Sequence, residues 1–294
     1  PCVEQQLEVA ELCCLVETYP AKHDDLDDYL RTLKIAYLYG KTITLSNTHW
    51  PETNAKMLKN RRIGLSQSGV VQAFNKFGRR DMYDMCDNAY DYVKQLDEEY
   101  SNWLCIPKSV RMTSIKPSGT VSLLNGSTPG IHFPESEYYI RRIRFSKTSK
   151  LLPDLEEAGY KLEDDKYSPN TVCVEFPVHE PYYEKSKRQV SMWEQLEIAA
   201  QYQHYWADNS VSVTVTFTPE EAPQIKGALE MYESRLKAVS FLKYEETGYE
   251  QAPYESITKE QYEQITKNIT PVQRFNFDEG GSGTKFCTND TCTI

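Results

Sequence analysis

A cysteine and a glutamate two positions apart, Cys2-Val3-Glu4, are followed by the adjacent thiols Cys13-Cys14, and Cys287 and Cys292 stand near the other end. A thiol beside a carboxylate makes a poor nucleophile, because the negative charge raises the thiol pKa and suppresses the thiolate. It suits a sulfur that stays protonated or carries a radical. In an extended segment, residues two apart leave the same face with about 6.6 Å of rise between them. One small ring can then touch both Cys2 and Glu4. Cys287 and Cys292 follow Asp278-Glu279-Gly280-Gly281-Ser282-Gly283-Thr284, a flexible linker composition that makes them a tethered arm. With four spacer residues and no neighbouring His or second Cys pair, zinc is a poor reading of this pair, and no metal ligand set is predicted.

Pro117-Ser118-Gly119-Thr120 has the make-up of a phosphate cradle. Glycine lets the backbone approach an oxyanion, successive N–H groups can point at it, and the hydroxyls of Ser118 and Thr120 add donors. As a bare tetrapeptide it is also a common turn. Thr128-Pro129-Gly130-Ile131-His132 forms a neighbouring loop in which His132 reads equally as a functional group or as a structural imidazole.

These residues need elements to position them. Leu26, Tyr29, Leu30, Leu33, Ala36 and Tyr37 recur at helical spacing behind an Asp-rich start, which predicts a helix over 24–45. Further helices are predicted at 81–100, 191–207 and 219–236, the last with Thr218 as N-cap and Pro219 at its first position. Strands are predicted at 171–178 and at 210–217, where apolar residues alternate with hydroxyls. Helices and strands interleave, so the fold class is α/β with a substantially parallel sheet.

At 294 residues with 39% hydrophobic content the chain can fill a real core. Its formal net charge of −10 argues against nucleic acid as a partner. The local basic stripe Arg141, Arg142, Arg144, Lys147 and Lys150 reads either as a solvated face or as a surface for an anionic small molecule. Eight cysteines with no secretory signal and no 18-residue apolar run predict a reduced, cytoplasmic setting and no membrane span.

Taken in order, several motifs resemble the C-terminal half of class II, adenosylcobalamin-dependent ribonucleotide reductases. They are Pro1-Cys2-Val3-Glu4-Gln5, the run from Glu11 through Cys13 and Cys14 to Val16, Lys116-Pro117-Ser118-Gly119-Thr120, Thr128 to His132, and Tyr138 to Arg144. The likeness continues through Asp208-Asn209-Ser210, Ser240-Phe241-Leu242 and Gln251-Ala252-Pro253-Tyr254 to the terminal cysteine pair. It is nearest to the triphosphate-using group.

The resemblance implies half of a ten-stranded α/β barrel with a central finger loop over residues 1–275, and a flexible redox tail over 276–294. It implies that Cys2 carries a thiyl radical that takes the ribose 3′ hydrogen, and that Glu4 is the general base on the 3′ hydroxyl. The family's reducing cysteine eleven residues after the radical position falls on Cys13 rather than Cys14. Cys287 and Cys292 match a shuttle pair that exchanges with the active-site disulfide and is recharged by a thioredoxin-like donor. Pro117, Ser118, Gly119 and Thr120 inherit the substrate-phosphate role. The tyrosine pair that feeds radicals to class I enzymes has no counterpart at Ser240-Phe241-Leu242-Lys243, which favours adenosylcobalamin as the radical source. The resemblance starts inside the active site, so an N-terminal half is expected as a separate chain or as the remainder of a longer product.

Overall fold

The computed structural model describes residues 3–244 and 250–272. Cys2, Cys287, Cys292 and the boundary between 275 and 276 lie outside the described residues. In chain order the elements are β1 (Leu15–Thr18), α1 (Leu26–Ile43), α2 (Pro51–Asn60), β2 (Gly64–Gln67), α3 (Val70–Phe77) and α4 (Arg79–Leu104). Then come β3 (Tyr138–Ser146), α5 (Leu152–Glu157), β4 (Lys161–Asp164), β5 (Thr171–His179) and α6 (Met192–Tyr205). Last are β6 (Thr214–Phe217), α7 (Ile225–Tyr232), β7 (Ser240–Lys243), β8 (Tyr254–Ser256) and α8 (Lys259–Thr266).

The chain divides into two compact units, one from residues 1–137 and 179–248, the other from 138–178 and 249–294. In the first, β1 pairs in parallel with β2 (Glu17 opposite Ser66), and β6 pairs in parallel with β7. Parallel bridges Leu65–Thr113 and Ile115–Val211 join these ladders through residues 113–115. The strand order is therefore β1, β2, 113–115, 211–217, β7, a parallel array as the α/β pattern requires. Asn209 stitches it, donating from Nδ2 to the carbonyls of Ile63 (2.9 Å) and Thr113 (2.8 Å). Helices α1, α3, α4 and α6 pack into a shared core that includes Tyr29, Leu33, Ala73, Met82, Leu196 and Tyr202.

Local signals explain most boundaries. The Asp25 carboxylate caps α1 by accepting from the Asp28 N–H at 2.9 Å, and Ser191 caps α6 in the same way at 3.2 Å. The predicted helix at 219–236 is a correction: α7 begins at Ile225. Pro223 has no N–H and its ring would clash with the carbonyl of Pro219, so residues 222–224 form only a short 3-10 turn. The strand predicted at 210–217 is regular from Thr214 on, while 211 contributes a single bridge.

In the second unit the sheet order is β4-β5-β3-β8, with β4 antiparallel to β5 and β3 antiparallel to β8. Arg142 on β3 is paired with Glu175 and Glu255, and Arg144 with Asp165. Of the two readings of the basic stripe, these arginines answer to carboxylates of their own unit. Among the described residues, no helix is long and apolar enough to cross a membrane.

Candidate active site

Residues 3–14 form an irregular loop that leads into β1. Val3 sits at φ 59° and Ala10 at φ 65°. A β-branched residue in the left-handed region stores about 1–3 kcal/mol of strain. The segment around Glu4 is thus a bend, and the chain at Val3 is not extended as assumed.

The loop is held at several points. The Glu4 carbonyl accepts from the Ser210 N–H at 3.1 Å, and Gln5 Nε2 donates to the Cys14 carbonyl at 3.0 Å. Gln5 lies so close to the sheet that a Cβ on Gly64 would fall 2.4 Å from its Nε2, so a larger residue there would displace Gln5. The Glu11 carboxylate accepts from the Glu8 N–H (2.8 Å), Asn60 Nδ2 (3.1 Å) and Arg62 Nε (3.0 Å). Arg62 also reaches Asn209 Oδ1 at 3.2 Å, tying the loop to the strand that carries Ser210.

Glu4 is 2% exposed, and its Oε2 has no hydrogen-bond partner; the hydroxyls of Ser114 and Ser210 are buried without one too. Buried oxygens of this kind are costly unless something arrives to meet them. Cys13 Sγ lies 3.9 Å from Glu4 Oε1 on the exposed side of the chain. Cys14 points the opposite way, donating to the Gly40 carbonyl of α1 at 3.5 Å, and burial pushes its thiol up to about 11. Of the two adjacent sulfurs, Cys13 is the one that shares space with Glu4.

The loop of Pro117, Ser118, Gly119 and Thr120 follows the central strand 113–115. Ser118 is buried at φ 46°, and nothing lies within 4 Å of where a Gly119 Cβ would be. Thr120 is exposed. The Ser118 hydroxyl, expected to be a phosphate donor, instead donates to Glu17 Oε2 at 2.5 Å. Glu17 Oε1 accepts from Ser66 (3.1 Å) and Ser68 (2.6 Å). Each of these serines accepts a main-chain N–H in turn, Ser66 from Lys116 (2.9 Å) and Ser68 from Gly130 (3.0 Å). Gly130, at φ 51°, would place a Cβ 2.4 Å from the Lys116 carbonyl, so the two loops meet at van der Waals limits. Sequence reasoning missed Glu17. Its visible signal was a glutamate directly after the apolar pair Leu15-Val16, with Ser66 and Ser68 two apart further along the chain.

His132 resolves to the structural reading. Its Nδ1 donates to the Pro129 carbonyl at 3.0 Å, and its Nε2 accepts the Thr214 N–H at 3.1 Å. Burial, helped by Lys187, holds its pKa below the ordinary value. The unfolded imidazole takes a proton near about pH 6.5, and the folded one only at lower pH. His132 therefore contributes stability that is present above that range and is lost as pH falls through the folded pKa. The wild type should lose more urea resistance than His132→Gln between pH 8 and 5.5; equal losses would contradict this.

A crystal structure of a B12-dependent (class II) ribonucleotide reductase matches 92% of this chain and 42% of its own, with TM-score 0.81 and 34% identity. The alpha subunit of a class Id ribonucleotide reductase from Actinobacillus ureae shares the fold, at TM-score 0.58, covering 83% of this chain and 52% of its own at 15% identity. The architecture is thus that of a ribonucleotide reductase catalytic chain. Sequence narrows it further. A probable adenosylcobalamin-dependent ribonucleoside-triphosphate reductase from Dictyostelium discoideum is 51% identical over 100% of this chain and 40% of its own length. The Euglena gracilis adenosylcobalamin-dependent ribonucleoside-triphosphate reductase is 46% identical over 99% and 41%. No family model matches. Over essentially its whole length the chain matches a segment of adenosylcobalamin-dependent ribonucleoside-triphosphate reductases, and it spans 40% and 41% of the length of these two relatives.

Proposed function

We propose that this chain carries the radical and reducing thiols of an adenosylcobalamin-dependent ribonucleoside-triphosphate reductase and acts together with an N-terminal half. The observation that carries the reading is the buried, unpartnered Glu4 Oε2 beside Cys13, at the head of a parallel strand array. Cys13 precedes Glu17 by four residues, about 13 Å of extended chain. A nucleotide laid along the strands would put its ribose at Glu4 and Cys13 and its phosphates at Ser118, Gly119 and Thr120. Pro117 fixes the entry to that loop.

In this reading Cys2 removes the 3′ hydrogen and Glu4 accepts the 3′ hydroxyl proton. The 2′ hydroxyl then leaves as water. Cys13 and a second cysteine outside this chain supply two electrons and end as a disulfide. Cys287 and Cys292 reduce it by exchange and are themselves recharged by a thioredoxin-like donor. Among the described residues no group of three or more His, Cys, Asp or Glu side chains could hold a metal ion. A corrin brings its own nitrogen ligands to cobalt and asks no such cluster of the protein. When bound, adenosylcobalamin supplies through cobalt–carbon homolysis the radical that Cys2 carries forward.

The open strand array, with β1 and β7 at its edges, supports its being half of a ten-stranded barrel around a finger loop, spanning residues 1–275 with a redox tail over 276–294. Among the described residues β1 and β7 have no further strand beside them, and the other half would supply one. The setting is cytoplasmic. The test is to combine the chain with its N-terminal complement, adenosylcobalamin, a dithiol and each ribonucleoside triphosphate. Deoxyribonucleotide and a cob(II)alamin electron-spin signal should form. Absence of both with every nucleotide overturns the proposal.

A further inference from the structure

Glu17 is a carboxylate closed in by three serine hydroxyls, from β2 (Ser66), from the turn after it (Ser68) and from the phosphate loop (Ser118). Two of those hydroxyls accept main-chain N–H groups, of Lys116 and Gly130, that begin or lie within the two loops named above. A hydroxyl has a single hydrogen to give. Ser66 and Ser68 each accept one N–H and each turn their hydrogen to Glu17 Oε1. Among the described residues no such N–H orients Ser118 Oγ. Its hydrogen lies on Glu17 Oε2 only while that oxygen is bare.

We infer that Glu17 is a positioning residue that sets the Ser118 hydroxyl: ionised, it takes the Ser118 hydrogen; protonated on Oε2, it donates to Ser118 Oγ and frees that hydrogen for a phosphate oxygen of the substrate. This rests on the proposed phosphate role of residues 117–120 and adds the group that governs it. An anion arriving at the loop also favours the neutral form of a carboxyl beside it. Burial already pushes Glu17 up, against the pull of the Ser118, Ser68 and Ser66 hydrogen bonds and of Lys116. Among the described residues Tyr19 and Tyr29 also sense it, and burial raises the pKa of both above the ordinary tyrosine value.

Glu17→Gln reproduces the protonated arrangement permanently, with Oε1 accepting from Ser66 and Ser68 and Nε2 donating to Ser118. Glu17→Ala removes the hub. The test is calorimetric binding of CTP, and of cytidine as a phosphate-free probe, to the full-length protein at pH 6 and pH 8.5. Wild-type affinity for CTP should fall about tenfold more between these pH values than that of Glu17→Gln, the comparison cancelling titration of the nucleotide itself. Glu17→Ala should bind CTP about tenfold more weakly at both, with cytidine unchanged. A Glu17→Gln profile parallel to wild type overturns the inference. Gly119→Asp separates the two ideas, since it fits the open space yet brings a negative charge to the loop. If it weakens CTP while Glu17→Gln keeps the wild-type slope, only the role of Glu17 fails. If it leaves CTP untouched, the phosphate assignment fails and the inference with it.

Discussion

Glu4→Gln should lower the turnover of CTP reduction by about 100- to 10,000-fold with little change in KM, and Cys2→Ser should abolish product altogether. The loop around Glu4 is held by its main-chain carbonyl on Ser210, by Gln5 and by Glu11, none of which the substitution touches. What changes is the buried Oε2, which in Glu4 has no partner and can accept a proton, and in the amide cannot. The loss therefore belongs to the chemical step and not to binding. Serine in place of Cys2 fails for a different reason: an O–H bond is too strong to yield its hydrogen to the radical that a thiol accepts. The measurement is single-turnover formation of deoxycytidine triphosphate by the complete enzyme. Glu4→Gln within threefold of wild type would remove Glu4 from the base role.

How much of this was legible in the residues depends on the range over which each feature is determined. Helices α1, α4 and α6 fall within a few residues of their predicted spans, because periodicity and caps such as Asp25 and Ser191 act within one or two turns. The start of α7 was misplaced where a second proline, Pro223, overrode a plausible cap at Thr218. The left-handed Val3 was invisible, since nothing in a β-branched residue announces φ 59°. The opposition of Cys13 and Cys14 was readable from alternation along an extended chain. The Glu17 hub was not, because it depends on the register of β1 against β2, on which a one-residue slip would turn Ser66 and Ser68 to the other face. The resemblance likewise supplied roles for Ser118 and Thr120 but not the carboxylate that Ser118 serves.

The largest stability effect should come from a buried ion pair between α1 and α4. Lys41, near the end of α1, is fully buried with Nζ 2.6 Å from Asp97 Oδ1 of α4. Asp97 also accepts from Tyr37 at 2.7 Å and from the Ser109 N–H at 3.0 Å, while Lys41 donates to Ser109 Oγ at 3.0 Å. Burial pulls the Lys41 pKa down, opposed by its contacts with Asp97. Removing one partner strands a charge without solvent, so Asp97→Ala should cost about 3–5 kcal/mol in urea unfolding. Lys41→Met with Asp97→Leu together should cost less than Asp97→Ala alone, because the paired desolvation penalty disappears with both charges. A double variant as unstable as the single one would show that the hydrogen bonds of Tyr37 and Ser109, and not the stranded ammonium, set the cost. The consequence reaches the site through α1: Gly40, one residue before Lys41, packs against Val16 and accepts the Cys14 thiol. Loosening this helix should therefore shift the strand that aims Cys13 at Glu4, and the single variant should lose turnover before it unfolds.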